Sequence, residues 1–243
     1  MNEKENLIDQ RLVLLQRHWR NAPWSDFSPP TRQRKKPARQ LTVAISREAG
    51  SLGAEVAQEL GKRLDWPVYD REILELIAQR AVLRTELLES IDEQDSNWLN
   101  ETMRSLGHPD ELSRAGYLLH LTKVLAALAA HGKCIIVGRG ATAMLPSAST
   151  LKLRVIGPVE QRIDRIAQQQ RVSRSEAEAI VHRIDNGRRE FVSHHFRKDV
   201  DDPHGFDLVL NSGRYSPTEL AEMAWVAVRT RQRGYAMDLA VTR

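Results

Sequence analysis

The stretch that decides the fold is residues 41–64: LTVAIS (41–46), REAGSLG (47–53) and AEVAQELGKRL (54–64). The first piece is a short β-prone run, the second a loop with two glycines, and the third repeats apolar residues at helical spacing. A loop that joins a strand to a helix N-terminus presents unpaired backbone N–H groups and the positive end of a helix dipole, which suit phosphate. Glycines let the backbone curl around an anion. The complete phosphate-loop pattern, G-x-x-x-x-G-K-[ST], is not present, because no lysine follows Gly53.

The chain downstream alternates the same two textures. WPVYD (66–70), CIIVG (134–138), TLKLRVIG (150–157) and FDLVLN (206–211) read as short apolar strands. Helical periodicity fills REILELIAQRA (71–81), most of 84–131 with a break near Gly107, and PVEQRIDRIAQQQ (158–170), where Pro158 suits a first turn. Ser173 and Glu176 form a capping box that opens a helix running to about Phe196. Ser216, Pro217 and Glu219 open another. Short apolar strands alternating with helices predict an α/β domain with a parallel sheet covered on both faces.

Charge separates the N-terminus from this body. Residues 1–40 hold nine Lys/Arg and four Asp/Glu, a net of +5, and the other 203 residues hold 27 and 28, a net of −1. The body has no net basic excess, which argues against a nucleic-acid-binding core. Residues 7–20 read as an amphipathic helix through Ile8, Leu12, Leu15 and Trp19. It is a candidate for a homodimer or partner contact, or for lying on a membrane. A Pro-rich basic linker follows, carrying Arg32, Arg34, Lys35, Lys36 and Arg39. The expected division is therefore 1–40 as an extension and 41–235 as the domain. No run reaches the roughly 20 apolar residues of a membrane span. The polar start and the single cysteine, Cys134, fit a cytoplasmic protein. Cys134 lies in an apolar run as a small core residue, and His194 and His195 have no third metal ligand at a suitable spacing.

Two further segments carry candidate chemistry. Arg139 stands between two glycines after a buried strand, at the strand end where ligands bind in this architecture. Asp185 and Arg188 lie three apart on one helix face, an ordinary ion pair or a ligand contact. Arg162, Arg165, Arg171 and Arg174 precede them, either to clamp polyphosphate or as solvated charge.

Taken in order, SREAGSLGAEVAQELGKRLDWPVYDREIL, GRGATAMLPSASTLKLRVIGPVEQRIDRI, IDNGRREFVSHHF and FDLVLNSGRYSPTEL resemble the cytidylate-kinase-like family over roughly residues 41–230. The resemblance implies a P-loop-NTPase-like parallel sheet with helices on both faces and a helical lid, following the N-terminal helical and basic extension. It implies ATP-dependent phosphoryl transfer, with Mg²⁺, to a nucleoside monophosphate of the CMP or dCMP kind. The alternative is a nucleotide-sensing module of the same fold with weak or no catalysis. A tether acting through the N-terminal extension is a third reading.

By resemblance, the donor phosphates fall to Ser46, Arg47, Gly50, Ser51 and Gly53. The acceptor falls to Asp70 and Arg139, with Asp185 on its sugar and Arg188 on the phosphates as the catalytic pair. No metal ligand is implied. The same comparison puts Gly53 where the phosphate-loop lysine belongs, Glu55 where the metal-binding Ser/Thr belongs, and Leu52 in place of a loop glycine.

Overall fold

The computed structural model describes residues 40–70 and 114–241. The expected N-terminal helix and linker, and the helical reading of 71–113, lie outside those residues. Two compact units divide the chain, one of Met1–Gln40 and Arg71–Lys133, the other of Leu41–Asp70 and Cys134–Arg243. In the first, a single helix is described, Arg114–His131, with Leu121, Leu125 and Leu128 fully buried.

The second unit holds the sheet. In chain order its elements are β1 (Thr42–Arg47), α1 (Gly53–Leu64), β2 (Val68–Tyr69), β3 (Ile135–Val137), α2 (Ala141–Met144), β4 (Thr150–Ile156), α3 (Val159–Gln170), α4 (Arg174–Phe196), a 3-10 turn (Pro203–Gly205), β5 (Leu208–Asn211) and α5 (Pro217–Val241). The sheet order is β2-β3-β1-β4-β5. Every pairing is parallel, with Val43 opposite Ile135 on one side of β1 and Leu151 on the other. Parallel strands place all their C-terminal ends on one edge, which is where the connecting loops make sites.

Alternation along the strands builds the core. Val43 and Ile45 of β1, Ile135 and Val137 of β3, and Leu151, Leu153 and Val155 of β4 share one buried cluster. Val56, Ala57 and Leu60 of α1, with Leu220, Ala221, Ala224 and Val228 of α5, pack onto it. Full burial of each large aliphatic chain stabilises by about 1.5–3 kcal/mol. The alternate register also buries polar side chains, Thr42 and Ser46 of β1 and Thr150, Lys152 and Arg154 of β4. Burial and the neighbouring Lys198 hold the Lys152 ammonium below the ordinary lysine range. Cys134 is a core thiol, pushed up to about 12 by burial against a weaker opposing hydrogen bond from Thr42, so it is not a reactive thiolate.

A second cluster joins Ala49, in the loop after β1, to Ile163 and Ile166 of α3 and to Ala177 and Val181 of α4. The α3–α4 helix pair, the expected lid, is therefore packed on the loop itself. Helix α4 opens on the expected capping box: the Ser173 amide donates to Glu176 Oε2 (2.9 Å), and the Glu176 amide donates to Ser173 Oγ (3.3 Å). Ser173→Ala removes one half of that exchange. We expect a loss of about 1 kcal/mol in a urea titration.

Some boundaries differ from expectation. Pro158 is the N-cap of α3 and not a first-turn residue, because its ψ of 132° is extended. β2 is confined to two residues and β5 begins at Leu208, since strand pairing and not apolar composition sets their length.

Candidate nucleotide site

The loop after β1 is built backbone first. Its four consecutive carbonyls each have a donor from the protein. Arg47 O accepts from Arg188 Nη1 (3.0 Å) and Glu48 O from Ser51 Oγ (2.9 Å). Ala49 O accepts from Arg162 Nη1 and Gly50 O from Arg165 Nη1, each at 3.1 Å. In a planar trans peptide the C=O of one residue and the N–H of the next point in opposite directions. Holding Ala49 O on Arg162 therefore turns the Gly50 N–H away from Arg162.

Helix α1 adds donors. Its first bond beyond the loop runs from the Val56 amide to Leu52 O (2.9 Å), so the amides of Gly53, Ala54 and Glu55 precede any helical acceptor. No side chain caps this end; the N-cap is Leu52 in the left-handed region, φ 63°. A branched residue held there costs roughly 1–2 kcal/mol, and such strain gathers at functional turns.

At Gly53 the space a side chain would take is filled by Arg47. A Cβ on Gly53 would lie 2.5 Å from Arg47 Cβ and 3.0 Å from its Cγ. A Cβ on Gly138 would overlap the Arg47 guanidinium. The Arg47 side chain therefore crosses the first residue of α1 and ends against the glycine that follows β3. It carries a positive charge past the helix N-terminus, and Gly53 leaves it room to do so.

The Gly138-Arg139-Gly140 turn has all three residues at positive φ, 82°, 53° and 72°. Gly138 makes room for Arg47, and a Cβ on Gly140 would overlap the Phe196 ring at the end of α4. Asp70 follows β2, which β3 separates from β1, so it stands roughly 10 Å across the sheet from the loop. Ser46 Oγ accepts from Arg154 Nη1 (3.0 Å), and Arg154 Nη2 lies 2.5 Å from Asp201 Oδ1. Ser51 Oγ also reaches Val155 O (3.0 Å), tying the loop to β4.

Asp185 and Arg188 of α4 both meet the loop. Asp185 Oδ1 accepts from the Ala49 amide (2.7 Å), and Arg188 Nη1 lies 3.9 Å from that oxygen. The structure thus gathers Ser46, Arg47, Gly50, Ser51, Gly53, Asp185 and Arg188 at one strand edge, with the Arg139 turn beside them through Arg47. Asp70 comes from the far strand.

Arg162 is not the solvated charge that its sequence context allows. It is 7% exposed and takes Gly157 O, Ala49 O, Asp185 and Glu48 as partners. Arg174 does lie at the surface, paired with Glu160 and Asp164 of α3. The sequence signal for Arg162 was slight: its neighbour Ile163 and the preceding Pro158 show only that this turn of α3 faces inward.

Residues 42–214 match the model of the cytidylate kinase-like family. The chain belongs to that family. No curated protein matches it in sequence. Among solved structures, a protein from Eubacterium ventriosum described as uncharacterized is 18% identical at a TM-score of 0.63, covering 79% of this chain and 99% of that one. Shikimate kinase from Acinetobacter baumannii is 12% identical at 0.41, covering 79% of this chain and 95% of its own. Dephospho-CoA kinase from Campylobacter jejuni is 10% identical at 0.34, covering 80% of this chain and 98% of its own. Membership of a kinase-like family and the all-parallel five-stranded sheet agree with the P-loop-kinase type of α/β fold. None of the described helices is long and apolar enough to cross a membrane.

Proposed function

We propose that the chain transfers the γ-phosphoryl group of ATP to a nucleoside monophosphate, with CMP or dCMP as the acceptor that the family suggests. The observation that carries this reading is the path of Arg47 across Gly53 to Gly138, which runs a cationic side chain past the residue where complete phosphate loops have a lysine. Phosphoryl transfer needs positioning and charge neutralisation more than covalent help. An oxygen of the acceptor phosphate attacks the γ-phosphorus, the bond to the β-phosphate bridging oxygen breaks, and ADP leaves with the nucleoside diphosphate.

In this reading the loop amides and α1 hold the donor phosphates, and Arg47 compensates their charge. Asp70 and Arg139 receive the acceptor, with Arg139 suited to bidentate contact. Arg188 turns toward the phosphates, its side chain 34% exposed.

Mg²⁺ takes oxygen ligands and is commonly held by one or two carboxylates plus phosphates and waters. The loop fits it through Glu55, exposed on the first turn of α1, while Glu48 and Asp185 are engaged by Arg162 and backbone amides. When bound, the ion supplies further neutralisation of phosphate charge. Glu55 otherwise repels the phosphates. That repulsion, together with glycine at position 53, favours a second reading, a module that binds nucleotide without turning it over.

The full-length protein with ATP, Mg²⁺ and a panel of nucleoside monophosphates, followed by ADP and diphosphate formation, separates the two. Turnover that Arg139→Ala abolishes supports the kinase. Nucleotide binding without turnover sinks the kinase and leaves the sensor.

A further inference from the structure

Asp185 and Arg162 together hold one residue of the loop, through the peptide units on either side of it. The two carboxylate oxygens of Asp185 are divided between the Ala49 amide (Oδ1, 2.7 Å) and Arg162 Nη1 (Oδ2, 2.6 Å). The same Nη1 reaches Ala49 O at 3.1 Å. Residue 49 is therefore held at both its N–H and its C=O by a single ion pair. Arg162 Nε extends the hold to Gly157 O (2.9 Å) and to Glu48 Oε2 (3.3 Å), which also accepts from the Gly157 amide (2.9 Å). A Cβ on Gly50 would lie 2.5 Å from the Arg162 carbonyl, so the backbones of loop and helix are in close approach as well. Both oxygens of Asp185, and Nε and Nη1 of Arg162, are thus engaged by protein.

We propose that Arg162 and Asp185 are positioning residues, which preset the backbone on both sides of residue 49 and so the loop for a polyphosphate, and that neither touches a nucleotide. The inference rests on the reading of residues 46–55 as the donor loop. It departs from the contact with the acceptor sugar that family resemblance implies for Asp185, and leaves Arg188 as the residue of α4 that faces ligand. A half-buried carboxylate with one oxygen on a loop amide and the other on Arg162 is released for a sugar hydroxyl only by giving up one of those contacts.

The test uses the full-length protein with inorganic triphosphate and CMP as separate probes in calorimetric titrations, and hydrogen exchange over residues 47–56 without ligand. Asp185→Asn keeps the shape and removes the charge; Arg162→Lys keeps the charge and removes the fork. We expect each variant to bind triphosphate about tenfold more weakly, with CMP affinity unchanged and faster exchange in the loop. Where Arg162→Lys does not fold, Asp185→Asn carries the comparison. Unchanged triphosphate binding with weakened CMP binding in Asp185→Asn overturns the inference. Should the wild-type protein take up no triphosphate, the donor-loop reading fails on its own account. Exchange then decides the link between the ion pair and the loop: faster exchange in Asp185→Asn upholds it and unchanged exchange overturns it.

Discussion

Replacing Arg47 by methionine should lower phosphoryl-transfer turnover about 10²–10³-fold, the loss typical when a preorganised charge-stabilising donor is removed. Methionine preserves much of the aliphatic stem that lies over Gly53 and deletes only the guanidinium beside Gly138. The protein should stay folded, so the effect belongs in kcat/KM for ATP and not in the thermal midpoint. Arg47→Lys should fall between the two, because a lysine is a point charge without the planar fork. Restoring the phosphate-loop lysine directly, as Gly53→Lys, should not help. Its Cβ would meet Arg47 Cβ at 2.5 Å and Val155 Cβ at 3.4 Å. The first is an atom next to the backbone and cannot swing aside, and overpacking of this kind costs about 1–3 kcal/mol. Gly53→Lys becomes compatible with the loop only when Arg47 is also reduced to glycine. Steady-state kinetics on the single and double variants check the whole set.

Arg162→Met should be the most destabilising single change in the loop region, by about 3–5 kcal/mol, the range for removing one partner of a buried ion pair. The substitution leaves Glu48 and Asp185, whose side chains are 23% and 17% exposed, without their shared cation. It also strips a donor from Ala49 O and from Gly157 O. Against a typical total stability of about 5–15 kcal/mol, such a loss moves the urea midpoint far. The surface pairs of Arg174 with Glu160 and Asp164 are the control, since its side chain is 53% exposed. Arg174→Met should cost no more than about 1 kcal/mol. Adding Asp185→Asn to Arg162→Met should recover part of the loss, because one of the two stranded charges is removed with its partner.

These contrasts show where sequence reading reaches and where it stops. The order of strands and helices was legible because each strand is a short apolar run and each helix announces itself locally, α4 by Ser173 and Glu176, α5 by Ser216 and Glu219. The glycines of the first loop and the Gly-Arg-Gly turn marked the correct strand ends for the same local reason. The path of Arg47 to Gly138 was not legible, since it joins the ends of two strands that become neighbours only through the sheet. The burial of Arg162 was hidden in the same way. An arginine at helical spacing among Gln161, Asp164 and Arg165 looks like surface, and only the approach of Ala49 and Asp185 from other elements makes it interior. Gly53 looked like a lost function on the sequence and reads in the structure as room for a cation supplied from β1.

The most direct test is a crystal structure of the full-length protein with a non-hydrolysable ATP analogue. The β- and γ-phosphates should lie between the α1 amides of Gly53 to Glu55 and the Arg47 guanidinium, with Asp185 still on the Ala49 amide. Phosphates bound away from this loop, or a loop that has released Asp185 to reach a nucleotide sugar, would contradict the account.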